Sequence, residues 1–335
     1  MTIGIKDVAR VAEVSPATVS RVLSGRSVDP AMHERVLAAV KSTGYRPNLA
    51  ARRLRSQHTN TIGLIVADIR NPFFTAVSRA VEGLATARGM RVILCNTDED
   101  PAREAAYLEL MHEERVTGVI FAPCRQWIEK GERLEPGYPV VLIDRNLPSA
   151  GLDCVLLDNG NMAAELVAHL HAHGHRRVAG LFGASSTGTE RRAGFEQAAR
   201  ALGMDASTLE MPHDAGAAER AVKELLAGPI RPDALVASNG VMLLSVLRAL
   251  RGLQLDVPGD IALAGFDNND WMEFVGGGLS VIEQPVEEIG RTAMTMLLDR
   301  LEHPDTPARR VVLAGRLITR GSSGPRASAD QTIGA

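Results

Sequence analysis

Val14-Ser-Pro-Ala-Thr-Val-Ser-Arg-Val-Leu-Ser-Gly25 is the stretch from which the organisation of this 335-residue chain is read. It follows a short run in which Ile5, Val8, Ala9 and Ala12 recur at i, i+3, i+4 and i+7, one face of a helix. A polar break, Glu13-Val14-Ser15, leads into a second helix. Ser15 suits its cap, and Pro16 suits its first position, where the missing N–H would have no partner. Two short helices so tightly joined predict a helix-turn-helix. Val19, Val22 and Leu23 form the inner face of the second helix. Ala17, Thr18 and Arg21 lie on another face, where a DNA major groove can meet them.

Working outward, a third helix is expected over Pro30 to Thr43, with Met32, Val36, Leu37 and Val40 on one side and Gly44 at its end. Asn48 then caps a run of alanines and arginines to Ser56. At about two turns, that helix is marginal in water by itself. Residues 1–58 carry ten Lys/Arg and four acids, a net of +6 within a chain of net −3, so the remainder is −9. A basic head on an acidic body is the footprint of phosphate contact confined to one module.

From Thr61 the texture changes to short β-branched runs alternating with amphipathic stretches. Strands are expected at 61–66, 91–95, 118–121, 140–143, 154–157, 178–182, 234–237, 261–265 and 280–282. Helices are expected near 73–88, 101–114, 126–130, 160–173, 190–202, 216–227, 240–251 and 286–302. Such alternation gives parallel sheets with helices on both faces, here as two series and hence two doubly wound lobes. Ligands of open α/β sheets sit beyond the carboxyl ends of the strands, so the cleft between lobes is the expected site. The small, polar tail from Gly321 is expected to be disordered.

Composition narrows the function classes. Apolar content of 45% and charged content of 23% are those of an ordinary globular protein. Cys95, Cys124 and Cys154 are widely spaced and match no metal pattern, which suggests a reducing compartment. No apolar leader and no run of roughly 20 apolar residues is present, so a cytoplasmic protein without a membrane span is expected. Gly183 to Gly188 has the outer glycines of a phosphate loop, but Thr189-Glu190 follows in place of Lys-Ser/Thr. The tract His169, His171, His173, His175 has no carboxylate or cysteine partner in sequence, so no metal or other cofactor is assigned. No catalytic constellation stands out, and no enzyme is expected.

The whole chain resembles the lac repressor family of bacterial transcription regulators. The resemblance is carried by IKDVARVAEVSPATVSRVLSG at 5–25, YRPNLAARRL at 45–54, GHRRV at 174–178, RRAGF at 191–195 and GFDN at 265–268. Trp271 and IEQPVEEIGRTA at 282–293 resemble a narrower group, regulators of gluconate, 2-ketogluconate and ketodeoxygluconate use. The resemblance implies an α/β protein with a helix-turn-helix headpiece (1–46), a hinge helix (47–58) and a two-lobed core (59–322) like periplasmic sugar-binding proteins. Lobe 1 would take about 60–159 and 284–315, lobe 2 about 160–283 and 316–322, with 323–335 a disordered tail. It also implies a homodimer on a palindromic double-stranded operator, released by a small sugar or sugar acid between the lobes. A corepressor or activator with a neutral sugar or nucleobase effector is the alternative within the family, and a sugar-binding protein without regulatory role is the other class.

On that resemblance Arg21 takes a base-contact position, where a guanidinium can bond guanine O6 and N7; a phosphate clamp is the other reading. Ala17 offers only apolar contact, and Ser15, Thr18 and Ser20 suit phosphates or caps. Asn48 and Arg52 belong to the hinge. Leu54, an apolar residue among arginines, would insert into the minor groove, where such a wedge kinks the duplex; packing on protein is its plain alternative. In the core, Asn71, Phe73 and Phe74 lie at the cleft rim, and the two rings either stack on a ligand or pack a helix on its sheet. Asp144, Arg145, Arg191, Asn239, Asp267 and Gln284 all fall at or near strand ends. Arg145 and Arg191 together suggest a carboxylate, unless they pair with the aspartates. Asp144, Asn239 and Asp267 suit hydroxyls. Gly240 departs from the Asn-Asp pair of many relatives.

Overall fold

A computed structural model describes residues 3–23, 26–45, 59–125, 137–146, 151–214 and 216–325. The chain forms two compact units, Met1–Thr59 and Asn60–Ala335. The expected hinge helix and the helix near 126–130 lie outside the described residues.

The described residues of the first unit form three helices: α1 (Ile5–Val11), α2 (Pro16–Leu23) and α3 (Pro30–Thr43). Val8, Ala9, Ala12, Val19, Val22, Val36 and Ala39 form its small core. The periodicity of α1 and α2 is therefore the packing face. In α3 the inner side is Val36 and Ala39, while Met32 and Leu37 are exposed at 39% and 48%. Of the expected stripe, Val36 and Val40 pack on the head core while Met32 and Leu37 do not, because two small partner helices cover only a narrow band of α3. Asp29 caps α3 by accepting from the amides of Ala31 and Met32, and Gly44 ends it at φ +66°, a conformation that costs glycine little.

The second unit holds two six-stranded sheets among the described residues. Lobe 1 orders its strands β11-β5-β4-β3-β1-β2. These are β1 (Thr61–Val66), β2 (Arg91–Asn96), β3 (Gly118–Phe121), β4 (Val140–Ile143), β5 (Asp153–Leu157) and β11 (Arg310–Leu313). Lobe 2 orders them β12-β10-β9-β8-β6-β7. These are β6 (Arg177–Gly183), β7 (Asp205–Met211), β8 (Ala234–Ala237), β9 (Ala262–Phe266), β10 (Ser280–Glu283) and β12 (Arg316–Ile318). All pairings are parallel except β10 with β12. The inner strands are buried along their length, as a parallel sheet covered on both faces requires.

Among the described residues seven helices cover the sheets: α4 (Pro72–Ala87), α5 (Pro101–Glu113), α6 (Asn159–Ala172), α7 (Ser186–Ala201), α8 (Ala217–Ala227), α9 (Gly240–Gly252) and α10 (Val286–Glu302). Asp153, at the start of β5, is fully buried and accepts from Arg300 Nε and Nη2 and from the Arg309 amide. It thereby ties α10 to the sheet.

The chain passes between lobes three times: after β5, after β10, and between β11 and β12. At the last crossing a Cβ on Gly315 would lie 2.9 Å from the Glu283 carbonyl oxygen, so only glycine fits. Strands β7, β11 and β12 carry no strong sequence signal. They lie at or near sheet edges, where residues stay partly exposed. The tail departs from expectation at its start. Gly321–Ser323 is a 3-10 turn, with Ser322 and Ser323 buried. Ser322 Oγ donates to the Leu263 carbonyl and accepts from the Ser280 amide, which fixes the segment on lobe 2. Residues 326–335 lie outside the described set.

Candidate DNA face and effector cleft

In the first unit Ala17 and Arg21 are exposed, and Ser15, Thr18 and Ser20 flank them at the surface of α2. Ser15 does cap the helix: its Oγ accepts from the Thr18 amide at 3.1 Å and lies 2.9 Å from Thr18 Oγ1. Val19 and Val22 are buried on the other side. One face of α2 is thus fixed by packing and the other offers an arginine, hydroxyls and a methyl. Asn48, Arg52 and Leu54 lie outside the described residues.

In the second unit the strand ends of both lobes open into one cavity of about 1030 Å³. All nine residues singled out for the core line it: Asn71, Phe73, Phe74, Asp144, Arg145, Arg191, Asn239, Asp267 and Gln284. Their local roles differ. Asn71 and Asn239 each cap a helix through Oδ1, accepting from Phe73 and Met242 amides respectively, which leaves the Nδ2 groups for a ligand. Phe73 and Phe74 meet edge to face at 5.1 Å and belong to the lobe 1 core. They pack α4 on its sheet and also present carbon to the cavity.

Asp144 and Asp267 end β4 and β9 with left-handed backbone, φ 63° and 73°. Non-glycine residues rarely adopt it, and such strain clusters at ligand sites. Asp267 accepts from the Gly240 amide at 2.8 Å and from Gln284 Nε2 at 2.6 Å. Gln284 thus braces an aspartate across a lobe crossing. A Cβ on Gly240 would lie 2.6 Å from Asn269 Nδ2, so the side chain of Asn269 takes the room that a larger residue would need. Burial pushes the Asp144 carboxyl above its usual pKa, against the pull of Arg145 and Arg191.

The two buried arginines do not form the paired clamp that their sequence positions suggest. Arg145 makes a bidentate pair with Glu99, pairs through Nε with Asp144 Oδ2 at 3.4 Å, and donates to the Pro123 carbonyl at 2.7 Å. Burial opposes its charge, but Glu99 more than compensates and raises its pKa. Among the described residues Arg191 hydrogen-bonds only to neutral groups. It donates to Asn159 Oδ1 at 2.8 Å and to the Ser238 carbonyl, and its guanidinium carbon lies 4.0 Å above the Phe266 ring. Burial lowers its pKa. Its Nη2 is buried with no hydrogen-bond partner among the described residues. Among the described residues Arg191 therefore keeps a buried donor without a hydrogen-bond partner, on a guanidinium that Asp267 and Asp144 attract from a distance, beside acceptors suited to hydroxyls.

The sequence reading missed Glu99, Arg70 and His213, which also line the cavity. Glu99 stands three residues past β2, so the strand-end rule would have reached it. His213 follows β7, whose exposed, polar sequence hid the strand.

A DNA-reading helical module together with a two-lobed core whose strand ends line one cavity defines a ligand-controlled transcription regulator. Residues 4–48 match the model of bacterial regulatory proteins of the lacI family, and residues 167–323 match the periplasmic binding protein-like domain. The HTH-type transcriptional regulator PtxS of Pseudomonas plecoglossicida is 36% identical over 95% of each chain. The HTH-type transcriptional regulator KdgR of Bacillus subtilis is 32% identical over 95% of this chain and 97% of that one. The chain belongs to the lacI family of bacterial regulatory proteins, and it is a DNA-binding transcription regulator. Its fold is also that of the lac repressor dimer bound to operator, with a TM-score of 0.85 and 23% identity over 97% of this chain and all of that one. No described helix is long and apolar enough to cross a membrane.

Proposed function

We propose that this chain is a homodimeric, cytoplasmic repressor, without catalytic activity, that leaves a palindromic operator when a sugar acid closes the cleft. The observation that carries the effector class is Arg191, which lines a cavity rich in hydroxyl acceptors and whose buried Nη2 has no hydrogen-bond partner among the described residues. A carboxylate supplies the missing acceptor, and a charge-assisted bond of this kind is about twice as strong as a neutral one. The pairing of Arg145 with Glu99 removes it from this task, so Arg191 is the single carboxylate reader. The likeness of residues 282–293 to regulators of sugar-acid use supports the same class.

The domains implied by the sequence serve this reading. Residues 1–46 read the operator, the hinge at 47–58 inserts Leu54, and the core from 59 to 322 senses the effector. An effector acts only through its different affinity for the two states. Calorimetric titration of the full chain with gluconate and 2-ketogluconate, and with neutral pentoses, tests the effector class. Heat from the acids alone is expected, and a response confined to the neutral sugars overturns it. For the hinge, Leu54→Ala is expected to weaken operator binding far more than binding to random DNA, measured by gel shift at two salt concentrations. Equal losses on both would refute insertion.

A further inference from the structure

Among the described residues three hydrogen bonds cross the mouth of the cleft. Thr187 Oγ1 donates to the Asp144 carbonyl at 2.7 Å. The other two end on the segment that closes β7: Arg125 Nη1 donates to Glu210 Oε1 at 3.0 Å, and Arg70 Nη2 lies 3.0 Å from His213 Nε2. The second of these is the more developed. Arg70 Nη2 also donates to Asp98 Oδ1 at 2.9 Å and to Asp68 Oδ2 at 3.2 Å. Asp68 is itself held in place, because its Oδ1 accepts from the Arg70 amide and from Arg70 Nε.

Three acceptors, two from lobe 1 and one from lobe 2, thus converge on one cationic nitrogen. A guanidinium already fills their meeting point, so the cluster needs no metal ion. In the tautomer that carries its proton on Nδ1, His213 offers the Nε2 lone pair to Arg70 as acceptor. We infer that Arg70 and His213 are positioning residues, forming a clasp that holds the lobes together. Effector affinity is then set in part by a contact made between the lobes rather than to the effector. A ligand that is enclosed only by the closed cleft binds in proportion to the fraction of molecules that are closed. The inference rests on the two-lobed cleft and on no particular effector.

The contact is half-exposed, with Arg70 at 59% and His213 at 41%. A contact of this exposure shifts the closing equilibrium by about two- to five-fold. Amide hydrogen exchange on the ligand-free full chain reads the shift directly, because exchange reports local opening. Arg70→Ala is expected to speed exchange by about that factor at 210–214, on the lobe that does not carry Arg70. His213→Leu is expected to do the same at 68–71. Amides 184–188, elsewhere in the cleft lining, should open with them in both variants. The double variant should add nothing beyond either single change. His213→Gln keeps an acceptor for Arg70 and should restore wild-type exchange. An effect confined to the substituted lobe, or additivity in the double variant, overturns the clasp.

Discussion

Arg145 in lobe 1 and Arg191 in lobe 2 are both buried in one cavity, yet their surroundings drive their acidities in opposite directions. Glu99 matches Arg145 with two bonds and raises its pKa, whereas Arg191 has an amide oxygen, a carbonyl and a ring, and its pKa falls. Burying a charge is costly unless it is paired. Lobe 1 therefore uses its arginine to complete itself, and lobe 2 keeps one incomplete. An incomplete charge on a cavity wall is what a ligand of opposite sign can complete.

The largest expected effect breaks the lobe 1 side of this contrast. Glu99→Ala removes the bidentate partner of buried Arg145 and leaves it only the Asp144 carboxylate at 3.4 Å, and should destabilise the core by up to about 3–5 kcal/mol, measured as a fall in thermal midpoint. A change below about 1 kcal/mol would mean that the pair behaves as an exposed one. Next, Arg191→Met removes the unmatched charge of lobe 2 at similar length. It orphans Asn159 Oδ1 and the Ser238 carbonyl, a loss of roughly 1–3 kcal/mol. The thermal midpoint should fall less than in Glu99→Ala, while the heat of sugar-acid binding vanishes. Retained binding would show that Arg191 is structural.

The smallest effect concerns Glu104, a fully buried lobe 1 carboxyl whose Oε2 accepts from the Cys124 amide and whose Oε1 has no partner among the described residues. Burial raises its pKa above the usual 4.5. The folded chain then holds this proton more tightly than the unfolded chain. The contribution is fully favourable below about 4.5 and is lost as pH rises through the raised value. Glu104→Gln keeps an acceptor for Cys124 and has no proton to lose. Thermal midpoints from pH 4 to 8 should show the variant gaining on the wild type as pH rises, and parallel curves would refute the assignment.

Much of this organisation is legible in the residues themselves. The spacing of Val8, Ala9, Ala12, Val19 and Val22 gives the three-helix head, because a small core leaves few places for apolar side chains. The β-branched runs give the inner strands, because a sheet covered on both faces must be apolar throughout. Placing Asp144, Asn239 and Asp267 at strand ends brings them to one cavity by topology alone. The pairing of Arg145 was not legible in this way, although Glu99 also follows a strand end. Glu99 lies 46 residues away, and nothing local distinguishes it from Asp98 or Asp100. Strand β7 was hidden because an edge strand needs no continuous apolar face, and His213 was hidden with it. Ser322 and Ser323 look like a solvated tail by composition, but their hydroxyls answer buried groups on Leu263 and Ser280.

The threefold passage of the chain between lobes has a consequence during synthesis. Lobe 1 begins at β1 but lacks an edge strand until Arg310–Leu313 has been made. Lobe 2 begins at β6 but lacks β12 until Ile318, and its seryl strap until Ser323. Neither sheet can be complete while the ribosome still holds the last stretch of this core. A domain that finishes so late presents unpaired strand edges throughout its emergence, and such edges invite association with neighbouring chains. The two halves of the cleft thus reach their full strand complement within about ten residues of one another, so the sensing unit is acquired almost in a single step.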